Sequence, residues 1–363
     1  FNLTQKNEIK TLRAEIRFLR AMNYYNLVDL FGKGPFIPET ISSDLPKERS
    51  RADHFAFVES ELNAIENLML TPKSNEYGRA DRAAVWVLLS KLYLNAKVYI
   101  NVDRSADAAV YAKKVIDAGY TLEPNYRKLF LTDNNQCKNE IIFPIISDGL
   151  RTQSYGLTTF LVHASIGGSK MKAADYGVNG GWAGLRAKQN LSNLFNDSLD
   201  TRDQLFKDGQ TLEVKAIGTF SNGYAVPKFQ NVSTTGVKGS DNSGNFIDTD
   251  FPLYRLGDVY LMYAEALLRS GGSQSEALNY FNQVRERAYN KSSIGNLSSL
   301  NLDQILDERA RELHWEAARR TDLIRYGKYT SGSYLWPFKG GPVEGIALDE
   351  FRNIFPIPQA ELT

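Results

Sequence analysis

Trp182 stands in Gly180-Gly181-Trp182-Ala183-Gly184-Leu185-Arg186, where glycines leave an indole little cover, and Asn179, Arg186 and Lys188 lie a few positions away. Flat aromatic faces beside hydrogen-bonding side chains suit sugar rings. The C–H face stacks on the aromatic ring and the hydroxyl rim meets the polar groups. Tyr155, in Gln153-Ser154-Tyr155-Gly156, and Tyr176, in Ala174-Asp175-Tyr176-Gly177, have similar settings. The candidate binding residues are therefore Trp182, Tyr155, Tyr176, Asn179 and Arg186. Each ring has a competing use, because a loop indole or phenol can also fold back over the helices as an anchor. Trp336, in Tyr334-Leu335-Trp336-Pro337-Phe338, has apolar neighbours on both sides and reads as core or partner-facing.

Other chemistries find less support. His54, His163 and His314 are far apart in sequence and lack the His-X3-His or His-Glu-X2-His spacing of a zinc site, so no metal is expected; His163 reads as polar lining of the loop region. Asp241-Asn242-Ser243-Gly244-Asn245 and Asp248-Thr249-Asp250 offer oxygen ligands without calcium-loop spacing and read as solvated turns. No Gly-X-Ser-X-Gly elbow, phosphate loop or dinucleotide fingerprint occurs, so no cofactor is expected. The acidic residues fall mostly on amphipathic helix faces, which argues against a hydrolytic carboxylate pair and for a non-enzymatic role.

Bulk composition narrows the partners. The 363 residues carry 43 Lys and Arg against 42 Asp and Glu, a formal charge of +1, so no global field favours nucleic acid or an anionic membrane. Much of the aromatic content, 12% with 19 Tyr and 4 Trp, lies in Gly- and Asn-rich segments, which favours exposed rings. Cys137 is the only cysteine, which excludes an intramolecular disulfide. No apolar run approaches the roughly 20 residues of a membrane-spanning helix.

Helices must position these loops. Leu12, Ile16, Leu19, Ala21, Leu27 and Leu30 keep helical spacing up to the breakers Gly32, Gly34 and Pro35, and a helix of this specificity so near residue 1 predicts a chain that starts inside a longer protein. Helices are predicted over Phe55–Leu70, Asp81–Tyr99 and Ser105–Ala118, and again as a pair within Arg255–Ala288 turning at Ser270-Gly271-Gly272-Ser273. The pairs, with small residues at their contacts, look like tetratricopeptide units of about 34 residues. A long helix is predicted from Asp303, as N-cap, to Tyr326, with most of its charges solvating one face. Between the helical blocks, residues 131–250 read as a long loop-rich elaboration with short β-like runs such as Ile141–Ile146. Ordered loops of that length are commonly functional.

Four segments in order resemble the SusD/RagB family of outer-membrane nutrient-binding lipoproteins of Bacteroidetes. Ala14-Glu15-Ile16-Arg17-Phe18-Leu19-Arg20-Ala21, followed by Tyr24-Tyr25 and Leu30-Phe31-Gly32, resembles its signature helix, and Lys33-Gly34-Pro35-Phe36 the exit seen in starch- and fructan-type members. Arg255–Ala266 resembles the repeat helix; Glu308-Arg309-Ala310-Arg311-Glu312-Leu313 with Arg319–Gly327 resembles the late helix; Phe355-Pro356-Ile357-Pro358 with Glu361-Leu362 resembles the closing segment. The resemblance implies a mostly α fold, tetratricopeptide-like pairs forming a scaffold under a loop-rich binding region with a few short strands. It implies one domain over 1–363, organised as 1–130 helical scaffold, 131–250 binding elaboration, 251–330 repeat helices and 331–363 irregular tail.

The function so implied is non-catalytic binding of an oligosaccharide or polysaccharide at the cell outer membrane and its delivery to a TonB-dependent, SusC-like transporter. Membrane attachment would come only from an N-terminal lipid anchor absent from this chain, and further site residues would precede the signature helix. The alternative is a helical-repeat scaffold of the transporter complex that binds no sugar. Arg17, Arg20 and Tyr24 read as core and salt-bridge positions rather than ligand contacts.

Overall fold

The computed structural model describes residues 3–37 and 46–359; Glu361 and Leu362 of the closing segment lie outside the described residues. In chain order it runs α1 (Leu3–Leu30), β1 (Gly34–Pro35), β2 (Glu48–Arg49), α2 (Arg51–Ile65), α3 (Arg82–Leu94), α4 (Ala96–Ile100), α5 (Ser105–Asp117), β3 (Ile141–Ile145) and α6 (Leu157–Ala164). It continues with β4 (Arg186–Ala187), α7 (Gln189–Ser192), β5 (Tyr224–Ala225), β6 (Phe251–Arg255), α8 (Leu256–Ser270), α9 (Gln274–Ala288), α10 (Leu302–Leu313) and α11 (Arg319–Arg325). The fold is mostly helical, as the sequence predicts.

The helix pairs pack as expected. α5 lies against both α3 and α8, and α9 folds back on α8, with Ala83, Ala84, Ala108, Ala109, Ala112, Ala264, Ala266 and Ala277 buried where helices approach. Local chemistry sets their ends. Asp81 accepts from the Ala83 amide at 2.8 Å to cap α3, and Ser50 with Asp53 makes a reciprocal capping box at α2. Gly271, at φ +70°, closes α8 in the left-handed conformation that a β-carbon disfavours.

Three expectations about the helices are corrected, and a fourth about their charges follows. The stripe of α1 that meets the core is Ala14, Phe18, Ala21, Tyr25 and Val28, while Ile16 is 66% exposed. Bulk decides between the adjacent stripes, because Phe18 packs edge-on against Phe143 at 5.5 Å and Tyr25 against Tyr99 at 6.3 Å. The Asp81–Tyr99 helix breaks at Asn95 into α3 and α4. The helix predicted from Asp303 is capped by Asn301 instead and ends at Leu313; Trp315 and Ala317 then take positive φ before α11 begins.

The charges of that region do not solvate a face. Arg202, fully buried, holds Asp200 at 2.7 Å, Glu308 at 2.6 Å and Glu312 at 3.1 Å. Arg255 holds Glu140 at 3.1 Å, Glu312 at 2.5 Å and Glu316 at 2.6 Å, while Lys228 reaches Glu316 at 2.6 Å and Arg287 pairs with Glu140 and Glu312. The break after Leu313 is what turns Glu316 inward to Arg255 and Lys228. Gly257 leaves the necessary room, since a β-carbon there would sit 2.4 Å from Arg255 Nη1 and 2.7 Å from Glu312 Oε1. Burial alone raises the Glu308 carboxyl, but the guanidinium groups of Arg202, Arg311 and Arg285 outweigh it and bring it down to about 2. Burial lowers the Lys228 ammonium to about 8 against the pull of Glu316.

This network bolts the loop-rich region onto α8, α9 and α10. A second hydrophobic cluster, including Tyr126, Phe130, Val162, Ile166, Phe229 and Phe251, fills the space beneath the loops. β3 and β6 pair antiparallel across the join, with Phe143 opposite Tyr254.

Candidate functional site

α6 carries the site on its C-terminal end. A helix leaves its last carbonyls without intrahelical partners, and here the returning loop supplies them. Trp182 N donates to His163 O at 2.8 Å, and Gly184 N and Leu185 N donate to Ala164 O at 2.9 and 2.7 Å; just beyond the helix, Ala183 N donates to Ile166 O at 2.9 Å. The close approach depends on Gly181, where a β-carbon would lie 2.3 Å from Ile166 O; at Gly180 a β-carbon would meet nothing within 4 Å.

Held this way, Trp182 is 44% exposed and Tyr155 63%, with ring centroids 6.2 Å apart. Phe160, on α6, lies 6.1 Å from the indole, and Phe246 lies 5.3 Å from Tyr155. The His163 imidazole lies stacked against Trp182 at 4.7 Å and is 2% exposed. Together these rings make an aromatic platform whose members come from α6, the segment before it, the 177–185 loop and the 241–247 turn.

The five candidate residues are distributed unevenly around it. Trp182 and Tyr155 meet. Asn179 is exposed nearby, its Nδ2 donating to Ser243 O at 3.0 Å and Asn245 Oδ1 at 2.6 Å, so it stitches the Trp182 loop to the 241–247 turn. Tyr176 is half-buried and packs on the second hydrophobic cluster, where burial raises its phenol. Arg186 points another way: Nη2 donates to Ile217 O at 2.5 Å and the guanidinium lies 5.7 Å from the Phe220 ring. Phe246 was not singled out from sequence; its only signal is an aromatic residue directly after the polar Asp241–Asn245 turn.

The acidic residues beside the platform are engaged with backbone. Asp241 accepts from the Ser243, Asn245 and Phe246 amides at 2.9, 3.0 and 2.9 Å, and Asp248 from the Gly149 and Ser240 amides at 2.7 and 2.6 Å. Among the described residues no group of three or more His, Cys, Asp or Glu is placed to hold a metal ion. A separate cavity of about 320 Å³ lies elsewhere, lined by Trp315, Tyr329, Tyr334 and Trp336 among others, and the Lys339 ammonium sits 4.6 Å from the Trp336 ring.

The family model described as "SusD family" matches residues 182–363. The chain is also 34% identical to the starch-binding protein SusD of Bacteroides thetaiotaomicron, over 96% of this chain and 70% of that protein. The chain belongs to the SusD family. Its fold matches family structures at lower identity. The surface glycan-binding protein A from Bacteroides uniformis aligns with a TM-score of 0.76 at 22% identity, covering 98% of this chain and 76% of that one. A laminarin binding SusD-like protein aligns with a TM-score of 0.76 at 23% identity, covering 98% and 77%.

Proposed function

We propose that residues 1–363 act as one non-catalytic unit that binds an oligosaccharide or polysaccharide on the Trp182 platform. The observation that carries this reading is the pair of exposed rings, Trp182 and Tyr155, on a loop fastened to the end of α6. A sugar ring laid on the indole exchanges apolar hydration for stacking, and the exposed Asn179 at the platform edge offers its Oδ1 to hydroxyls, its Nδ2 being bonded to Ser243 O and Asn245 Oδ1. Tyr176 and Arg186 support the site from behind, through the second cluster and the 217–220 loop. The relatives named for starch, glycan and laminarin binding support a glycan as ligand.

In this reading the protein works at the outer-membrane surface and passes its ligand to a TonB-dependent, SusC-like transporter. Among the described residues no helix is long and apolar enough to cross a membrane. Calorimetric titration with maltohexaose and laminarihexaose tests the site. Trp182→Ala should weaken binding by about 5- to 150-fold, as expected for loss of about 1–3 kcal/mol of stacking. Unchanged affinity in that variant would remove Trp182 from the site, and release of shorter sugars would overturn the non-catalytic reading.

A further inference from the structure

Both ring nitrogens of His163 face backbone carbonyl oxygens: Nδ1 lies 2.7 Å from Gly180 O and Nε2 2.9 Å from Asn245 O. A neutral imidazole carries one N–H and one lone pair, so it donates to one carbonyl and turns its lone pair on the other. Only the imidazolium donates to both. The ring itself is buried, while Gly180 and Asn245 are half-buried, so a carbonyl that faces the lone pair meets an acceptor where a donor is wanted.

The two carbonyls belong to different segments. Gly180 opens the loop that carries Trp182, and Asn245 precedes Phe246, which packs on Tyr155. His163 therefore joins the backbones that set two edges of the platform. It also lies stacked on the indole, where a positive ring is favoured by the π face.

We propose that His163 is a positioning residue for the platform, a doubly protonated clamp between Gly180 and Asn245 whose proton occupancy sets how well Trp182 and Tyr155 are held for sugar. This rests on the platform being the sugar site. Few ionisable groups surround the clamp. Asp241 and Asp248 on the 241–248 turn are bound to backbone amides, Arg186 beyond Leu185 donates to Ile217 O, and Tyr155 is the phenol of the ring cluster. Lys170, Lys172 and Asp175, on the stretch between α6 and the Trp182 loop, are exposed.

The test joins a protonation measurement on the free protein to a binding measurement. The chain has 3 histidines, so ¹⁵N-histidine NMR with His163→Gln for assignment reads the state of this ring directly. Maltohexaose titrations over the same series, from about pH 5 to about pH 8.5, cover the range in which histidine commonly changes charge. The expected result is two protonated ring nitrogens where binding is tightest and an affinity that falls about tenfold as the second proton leaves, the size of one lost charge-assisted hydrogen bond. His163→Gln, whose amide does not titrate there, should bind with an affinity independent of pH. A neutral ring at the pH of tightest binding, or an affinity unchanged while the ring deprotonates, overturns the proposal. Failure of the site reading shows separately, as a Trp182→Ala variant that binds like wild type, while the protonation state of His163 is still read without ligand.

Discussion

The imidazole of His163 and the indole of Trp182 lie face to face, ring centroids 4.7 Å apart and planes inclined by 15°. The same two residues are joined through the main chain, where Trp182 N donates to His163 O at 2.8 Å. One face of the indole is thus backed by a buried ring whose two nitrogens each face a backbone carbonyl. An indole pre-set in this way loses little side-chain freedom on binding, so more of its stacking energy appears as affinity.

The neighbouring rings should contribute less than the indole. Tyr155→Ala and Phe160→Ala should each weaken maltohexaose binding by a smaller factor than Trp182→Ala, because each ring lies tilted to the indole at about 6 Å rather than stacked on it. Calorimetry on the three variants orders them. A Phe160→Ala loss equal to that of Trp182→Ala would move the centre of the site onto α6.

The two glycines before Trp182 should respond differently to one added methyl. Gly181→Ala places a β-carbon 2.3 Å from Ile166 O and must shift the loop, so binding should fall toward the Trp182→Ala level; Gly180→Ala meets nothing and should bind like wild type. Melting temperatures close to wild type in both would tie the difference to the loop. Equal affinities for the pair would mean that the loop's fastening to α6 is irrelevant to binding.

Removing a buried cation should cost stability rather than binding. Arg202→Met leaves Asp200 and Glu308 with one guanidinium fewer inside the protein, and breaking a buried pair from one side costs about 3–5 kcal/mol. Urea unfolding should show the loss in the midpoint. Wild-type stability in this variant would mean that the network carries no such strain.

Acid should attack the Arg202 network and also a second buried group of charges, in which Glu265 pairs with Arg269 and Arg325. Burial raises the Glu265 carboxyl, and Arg325, Arg269 and Arg309 overcome that to hold it at about 2, as the arginines around Glu308 also do. A carboxylate depressed in the folded state adds stability that is complete above its unfolded value, about 4.3, and is lost as pH falls through the folded one. Melting temperature should therefore hold above about pH 5 and fall between about pH 4.5 and pH 2. A melting temperature level down to the lower limit would contradict the depressed values.

Cys137 should report opening of the second cluster. Burial pushes its thiol up to about 12, so little thiolate forms at neutral pH. A thiol reagent should label it slowly in the native protein and quickly in denaturant. Rapid native labelling would show that the floor beneath the platform opens readily.

Helix locations, the paired repeats and the glycine-flanked Trp182 were all legible in the linear chain, because each rests on spacing of a few residues. Periodicity did not choose which stripe of α1 faces inward. That choice belongs to Phe18 and Tyr25, whose partners Phe143 and Tyr99 are 125 and 74 positions away. The platform was half legible for a related reason. Tyr155 and Trp182 carry the same local signature as Tyr176, yet only contacts across the fold send the first two outward and the third against the second cluster.

Residue types and their order suffice for the scaffold and the family, since helix formation, capping and turn chemistry are decided within a turn or two of chain. The fate of the charges on α10 and the pairing of His163 with Gly180 and Asn245 do not follow from local spacing. A charge alternating along a helix looks the same whether it meets water or Arg202, and an isolated histidine looks the same whether or not two carbonyls converge on it. Only the packed structure fixes those partners, because desolvation acts on groups brought together from distant parts of the chain.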